Sequence, residues 1–153
     1  TITDDKFVPW LRTTLERLEI QPRDLIFQMR EIDVTHHMGD VAKMFDRLKS
    51  LGVATGLTHY GLAINPATIF NRIKVDFVKV DGTISGKAQK EKPALETLKH
   101  LLGDLKTHNN RVIVPHIETA SIIPTLWQAG VDFLQGYYIQ APIQEMNFDF
   151  SEE

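Results

Sequence analysis

Residues 75–82 of the chain read VDFVKVDG. Within them, Phe77–Val80 is a short and mostly apolar run of the length of a buried β-strand, and Asp81 places a carboxyl group directly after it. A strand-length run that is apolar rather than strictly alternating is typical of a strand covered on both faces of a parallel sheet. The segment therefore predicts one strand of an α/β protein with a polar residue at its carboxyl end.

Strand-like runs and amphipathic helices alternate on both sides of this segment. The expected strands lie at residues 25–29, 53–60, 77–80, 111–117 and 131–135. The expected helices, with apolar residues at helical spacing, lie at residues 7–18, 41–51, 95–105 and 122–129. The second helix is expected to end at Gly52, because glycine readily takes the left-handed conformation that closes a helix. This order of elements predicts an α/β fold of βα units around a parallel sheet.

Polar residues stand near the carboxyl end of each expected strand. They are Gln28, Glu31, Thr58, His59, Lys79, Asp81, His116, Glu118 and Gln135. In βα barrels this end carries the active site, whereas the glycine-rich turn of a dinucleotide-binding fold is missing after the first strand, at residues 30–33. A complete barrel takes about 250 residues, and the chain has 153. We expect residues 1–153 to form one partial domain without an internal boundary, the C-terminal part of a TIM-like (β/α) barrel that lacks the first strands.

The composition excludes several classes of function. Without cysteine, the chain has no disulfide, thiolate metal ligand or cysteine nucleophile. A formal net charge of -3 argues against non-specific binding to nucleic acid or an anionic membrane, and no apolar run is long enough to span a bilayer. A P-loop and a glycine-flanked serine elbow are both missing from the sequence. We expect a cytoplasmic protein, and we interpret the polar start without methionine as that of a fragment of a larger polypeptide.

Four of the strand-end residues have side chains that can bind a metal ion. They are His59, Asp81, His116 and Glu118. Imidazole and carboxylate suit zinc or manganese, but these residues follow different strands and show no local ligand spacing. The residues alone leave two interpretations open, a metal site or side chains that hydrogen-bond with one another and meet solvent.

Four segments in register resemble the EAL family, the barrel phosphodiesterases that open the bacterial messenger cyclic di-GMP. Residues 77–81 are similar to the family's Lys-Ile-Asp strand, and residues 25–31 to its Leu-Glu-Ile-Thr-Glu strand. Residues 112–118 resemble the segment that usually reads Ala-Glu-Gly-Val-Glu, and residues 134–138 with Pro142 resemble the closing Gln-Gly-Tyr/Phe…Pro motif. The resemblance implies an EAL-type barrel, of which the opening Glu-Ala-Leu strand and the following Asn strand are missing from the chain.

The chain departs from the family pattern where the family holds its catalytic metals. Gln28 stands in place of a metal-binding Glu, Thr58 and His59 replace a pair of Asp residues, and Pro115 replaces another Glu. Hard divalent cations need anionic oxygen ligands, and metal-assisted hydrolysis needs the cation to acidify a bound water. The losses imply a degenerate EAL domain that is not an enzyme and needs no metal. Glu31 is retained at a position that anchors a loop in the family.

Within the family, the chain is most similar to the FimX type of degenerate EAL domain. The stretches that carry this similarity are residues 125–130, 135–138 and 149–151. The resemblance implies a bacterial cyclic di-GMP receptor in type IV pilus and twitching-motility regulation. It also implies that other domains of a longer chain and a PilZ-domain protein are partners. Nucleic acid and membrane are not expected as partners, because of the net charge.

The resemblance further implies a set of ligand-binding residues. They are Glu118, Gln135, Lys79, Ile117, Tyr137 and His116. Glu118 is expected to accept hydrogen bonds from the N1 and N2 edge of guanine, and Lys79 to meet a phosphate. Ile117 or His116 is expected to pack on a base face beside the aromatic ring of Tyr137.

Two other functions stay open. One is an active phosphodiesterase with a rebuilt metal site made of His59, Glu118 and Asp81. The other is a protein-interaction module that no longer binds the nucleotide. Metal-dependent loss of cyclic di-GMP distinguishes the enzyme from the receptor, and binding without turnover distinguishes the receptor from the interaction module.

Overall fold

The computed structural model describes residues 4–144, so the similarity noted at residues 149–151 lies outside the described residues. Five strands form one parallel sheet whose order follows the chain. The strands are β1 (Ile26–Arg30), β2 (Ala54–Tyr60), β3 (Phe77–Val80), β4 (Arg111–Val114) and β5 (Phe133–Leu134). The α-helices are α1 (Phe7–Arg17), α2 (Glu31–His36), α3 (Met38–Leu51), α4 (Gly82–Ala88), α5 (Lys92–Thr107) and α6 (Ile123–Gln128). Short 3₁₀ turns lie at Pro22–Asp24, Pro66–Asn71 and Ala120–Ile122. The predicted α/β class with a parallel sheet is confirmed.

The core lies between the sheet and its helices. Val78 is the register partner of Leu57 on β2 and of Val112 on β4, and all three side chains are at most 1% exposed. Leu48 of α3 and Leu98 of α5 are buried in the same cluster. Burying one such side chain stabilises the fold by about 1.5–3 kcal/mol, so this layer fixes β2, β3 and β4 against the helices.

The opposite face of the sheet is more polar and less covered. Because successive strand residues point to opposite faces, Phe77 and Lys79 lie on the other side of β3 from Val78. Arg111 lies over the ring of Phe77, 5.1 Å from its centroid. Ile26 and Phe133, on the two strands at the sheet edges, are 40% and 44% exposed. This face leads to the strand ends where the predicted polar residues lie.

The helix boundary predicted at Gly52 is confirmed. Gly52 has φ = 89°, the left-handed conformation, and its N–H donates to the carbonyl oxygen of Lys49. The apolar stripe predicted for this helix is also observed, since Val41, Met44 and Phe45 are buried. Periodicity and a closing glycine were sufficient to place this element.

Two strands are shorter than the sequence predicts. The run at residues 111–117 pairs as a strand only over Arg111–Val114, because Pro115 has no N–H and His116 takes a left-handed φ of 59°. The run at residues 131–135 keeps only two strand residues, although the N–H of Gln135 still donates to Val114 O at 3.0 Å. The backbone therefore leaves the sheet early at the edge where His116 and Gln135 lie.

Two short helices, α2 and α4, were not predicted. α2 follows β1 directly, whereas Asp81 lies between β3 and α4. α4 has the sequence GTISGKA, in which two glycines weaken helix propensity. Asp81 stabilises α4 instead, because its carboxylate accepts a hydrogen bond from the N–H of Thr83 at 2.8 Å. Among residues 4–144, none of the helices is long and apolar enough to cross a membrane.

Candidate functional site

A cavity of about 270 Å³ opens at the carboxyl ends of β3, β4 and β5. Parallel pairing brings these strand ends to one edge of the sheet. The cavity is lined by Lys79, Pro115, His116, Glu118, Gln135, Gly136, Tyr137, Gln140 and Pro142. Five of the six residues predicted to bind a ligand thus lie around one space, although they come from three separate parts of the chain.

Ile117 is the exception, and the prediction that its side chain packs on a ligand base is wrong. The side chain is 0% exposed and belongs to the apolar core. The backbone of Ile117 supports the cavity instead. Its N–H donates to Gln135 O, and its oxygen accepts from the N–H of Tyr138, both at 3.0 Å.

Gly136 allows the chain to pass very close to Ile117. A Cβ atom placed on Gly136 would lie 2.2 Å from the oxygen of Ile117, far inside van der Waals contact. The glycine of the segment 135–138 is therefore required for the close approach of two backbones, which brings Tyr137 and Gln135 to the cavity.

His116 lines the cavity with an unusual backbone conformation. Its φ is 59°, in the left-handed region that favours glycine, and the family pattern has glycine at this position. The imidazole lies against Gly82, where an added Cβ would be 2.7 Å from the ring. Gly82 thus makes room for the ring, and the first turn of α4 forms a wall behind it.

Gln89, just after α4, holds the loop at residues 116–119. Its amide nitrogen donates to the oxygen of His116 at 2.8 Å, and its amide oxygen accepts from the N–H groups of Glu118 and Thr119 at 2.9 and 3.2 Å. A single side chain therefore satisfies three backbone groups of the loop that carries Glu118. Sequence reasoning missed Gln89, because nothing in the sequence distinguishes it from any other polar residue at the end of a short helix.

Glu31 anchors the loop that follows β2. One oxygen of its buried carboxylate, Oε2, accepts from the N–H groups of Gly61, Leu62 and Ala63 at 3.1–3.3 Å. This contact agrees with the loop-anchoring position implied by the resemblance. Burial raises the pKa of Glu31 above its ordinary value, and the nearby Asp81 adds to this, while the three backbone bonds act against it. The other oxygen, Oε1, is buried without a hydrogen-bond partner among the described residues.

His59 and Asp81 form a pair beside the cavity. His59 Nδ1 lies 2.9 Å from Asp81 Oδ2, and Asp81 Oδ1 accepts from the N–H and hydroxyl of Thr83. Burial acts to raise the pKa of Asp81, but the hydrogen bonds from Thr83 and His59 outweigh it and hold this pKa below its ordinary value. Asp81 therefore carries a negative charge at neutral pH.

The described residues do not fit a pair of catalytic metal ions. Gln28, Thr58 and Pro115 offer no anionic oxygen at the positions where the family pattern has carboxylates. Among residues 4–144, no three His, Asp or Glu side chains lie close enough together to hold a metal ion. The alternative site of His59, Glu118 and Asp81 is therefore not assembled, since His59 and Asp81 pair with each other and Glu118 lies apart from them.

The fold and the site define a βα-barrel type of protein with a cavity at the carboxyl ends of its strands. The family model for the EAL domain matches residues 1–142. The chain belongs to the EAL domain family.

Solved structures agree with this assignment. The FimX EAL domain of Pseudomonas aeruginosa, solved bound to c-di-GMP, has a TM-score of 0.90 and 33% identity, over 98% of this chain and 62% of that chain. The FimX EAL domain of Xanthomonas citri, in complex with c-diGMP, has a TM-score of 0.87 over 97% of this chain and 59% of that chain. At 18% identity, it shows a likeness of fold alone.

The curated relatives include proteins named as enzymes. Cyclic di-GMP phosphodiesterase PdeA of Borreliella burgdorferi is 20% identical over 142 residues, which are 93% of this chain and 21% of that protein. The chain therefore spans about three fifths of the FimX domains and about one fifth of this relative. The similar proteins thus include EAL domains solved with bound c-di-GMP and a protein named as a phosphodiesterase.

The contacts of Gln89 yield a first prediction. Replacing Gln89 with Ala removes three hydrogen bonds to the loop at residues 116–119, each worth about 0.5–1.5 kcal/mol. We expect the amides of Glu118 and Thr119 to exchange with deuterium roughly ten-fold faster, measured by NMR. Gln28→Ala, the same substitution on β1, serves as the control. Unchanged exchange at Glu118 would mean that Gln89 does not hold the loop.

The raised pKa of Glu31 yields a second prediction. The folded state binds this proton more tightly than the unfolded state, so its contribution to stability is full below the ordinary value of 4.5 and is lost as the pH rises through the raised value. The free energy of unfolding of the wild type, relative to Glu31→Gln, should therefore fall as the pH rises from about 4 to 8. Urea denaturation measures it, with Glu16→Gln, at an exposed position of α1, as control. A difference that rises with pH contradicts the proposed environment of Glu31.

Proposed function

We propose that this EAL domain is a cyclic di-GMP receptor that does not hydrolyse the nucleotide. One observation carries the proposal. The residues suited to bind the ligand converge on one cavity, while the positions that hold metals in the family pattern carry Gln28, Thr58, His59 and Pro115. The c-di-GMP bound to the FimX EAL domain of 33% identity supports the choice of ligand.

The cavity suits one guanine of the ligand. Glu118 presents a carboxylate, which accepts hydrogen bonds and so matches the N1–H and N2–H donors of guanine. Its position is set by Gln89, which holds the backbone N–H of Glu118. His116 offers a ring face for stacking, since its imidazole is backed by Gly82. Base recognition thus depends on the loop that Gln89 and Gly82 support.

The other side chains of the cavity serve the sugar and phosphate. Lys79 lines the cavity and supplies a positive charge for a phosphodiester. Gln135 can both donate and accept there. Tyr137 is 72% exposed and is available for aromatic contact at the rim. In this proposal the domain needs no metal, because binding uses protein donors alone.

The wider setting of the receptor is carried over from the similarity to FimX. The proposal places the protein in the bacterial cytoplasm, in type IV pilus and twitching-motility regulation. A PilZ-domain protein and other domains of a longer chain are its proposed partners. The competing function is a phosphodiesterase, which the name of the Borreliella burgdorferi relative favours.

Incubation of the full-length protein with cyclic di-GMP and manganese separates the two functions. We expect binding by calorimetry with or without the metal, and no linear dinucleotide by chromatography, because the anionic cage for a divalent cation is missing from the described residues. An active EAL phosphodiesterase is the positive control. Metal-dependent turnover at ~1 per second or faster would establish the enzyme instead.

Replacing Glu118 with Ala tests the guanine contact. We expect binding of cyclic di-GMP to weaken by about 1–3 kcal/mol, since the guanine donors lose their partner. Gln28→Ala is the control at a former metal position, and its effect should be much smaller because there is no metal for Gln28 to hold. Calorimetry measures both, and equal losses would contradict the proposed site.

A further inference from the structure

His59 is held in a specific orientation at the carboxyl end of β2. Its backbone takes a left-handed φ of 53°, and its side chain is 61% exposed. The only polar side chain that the structure places within hydrogen-bond distance of its ring, among the described residues, is Asp81, 2.9 Å from Nδ1. The Asp81 side chain is only 7% exposed. An exposed imidazole is thus fixed by a buried carboxylate.

The charge of Asp81 decides which ring nitrogen is available. An ionised carboxylate only accepts hydrogen bonds, so Nδ1 of His59 must carry a proton and donate it. The second nitrogen, Nε2, is then the free end of the exposed ring. A protonated ring presents Nε2–H as a donor with a positive charge.

His59 does not line the cavity but is linked to it through a short series of contacts. It pairs with Asp81, the next residue is Gly82, and Gly82 lies against the His116 ring, which lines the cavity. Tyr60, next to His59, is the register partner of Val80, next to Lys79. His59 therefore lies one strand beyond Lys79 along the same edge of the sheet.

The charges of the proposed ligand and of the cavity lining indicate a function for His59. A cyclic dinucleotide carries two phosphodiesters and hence two negative charges, whereas the cavity has one formal cation in its lining, Lys79. A cavity of about 270 Å³ also holds only part of such a ligand, which must extend along the strand ends. Beyond Lys79 and Glu118 of the cavity lining, the ionisable side chains near the strand ends include Glu31, His116, the His59–Asp81 pair and the Arg30–Asp33 ion pair.

We propose that His59 is a phosphate-binding residue, whose Nε2 donates to a phosphodiester oxygen of the ligand, and that Asp81 positions it. This inference rests on the proposed function, because it names a further contact to the same ligand. In the family pattern an acidic residue stands at position 59 near the catalytic metals. Here a side chain that can be cationic takes the place of that acid and serves the phosphate directly.

The test compares a ligand that has phosphates with one that has none. Cyclic di-GMP and guanosine are titrated into the full-length protein and into His59→Asn, with binding followed by NMR. Asn tolerates the left-handed backbone of position 59. We expect His59→Asn to weaken the binding of cyclic di-GMP roughly ten-fold or more, which is the usual strength of a charged hydrogen bond. The binding of guanosine should not change.

Three further variants complete the experiment. Asp81→Asn keeps an oxygen that caps α4 but loses the charge. Like His59→Asn, it should weaken the binding of cyclic di-GMP and leave the binding of guanosine unchanged. His100→Asn, at an exposed position of α5, is the matched control and should change the binding of neither ligand. Glu118→Ala should weaken both ligands, because it acts on the base.

The outcomes are distinct. Unchanged cyclic di-GMP binding by His59→Asn overturns the inference, while a loss in Glu118→Ala leaves the proposed function standing. Equal weakening of both ligands by His59→Asn also overturns it, since that pattern indicates a structural role. A wild type that binds neither ligand refutes the proposed function and this inference together.

Discussion

Parallel pairing of β2, β3 and β4 through the buried row of Leu57, Val78 and Val112 is the constraint on which the site depends. Because these strands run in one direction, their carboxyl ends must meet at one edge of the sheet. A shift of one residue in the pairing would turn Val78 outwards and Lys79 into the core. The apolar row therefore fixes both the stability of the sheet and the side from which Lys79 reaches the cavity.

Two buried carboxylates organise the loops at this edge. Glu31 gathers three backbone N–H groups of the loop after β2, and Asp81 caps α4 while it orients His59. A buried charge is costly unless its oxygens are satisfied. Both oxygens of Asp81 have partners, whereas the three donors around Glu31 all reach Oε2, and burial raises the pKa of this carboxyl group. The carboxylates of Glu31 and Asp81 thus bind groups of the protein itself.

The four residues that stand where the family pattern has metal-binding carboxylates all differ from that pattern in the same way. Loss of a single anionic ligand would weaken a metal site, and Gln28, Thr58, His59 and Pro115 together offer no anionic oxygen at these positions. Pro115 also ends β4 early, so the same residue that removes a carboxylate shapes the turn that carries His116 and Glu118.

Local patterns in the sequence determined the class of fold, most of the helices and the residues that face the cavity. Helical periodicity placed α3 and its closing glycine, and short apolar runs placed the strands, because burial and backbone propensity act over a few neighbouring residues. The likeness to known motifs indicated Lys79, His116, Glu118, Gln135 and Tyr137. Tertiary structure alone decided that Ile117 belongs to the core, that Gln89 holds a loop 27 residues away, and that His59 pairs with Asp81. These features depend on which strands are neighbours and which way a backbone turns, and such long-range geometry leaves no signature in the local sequence.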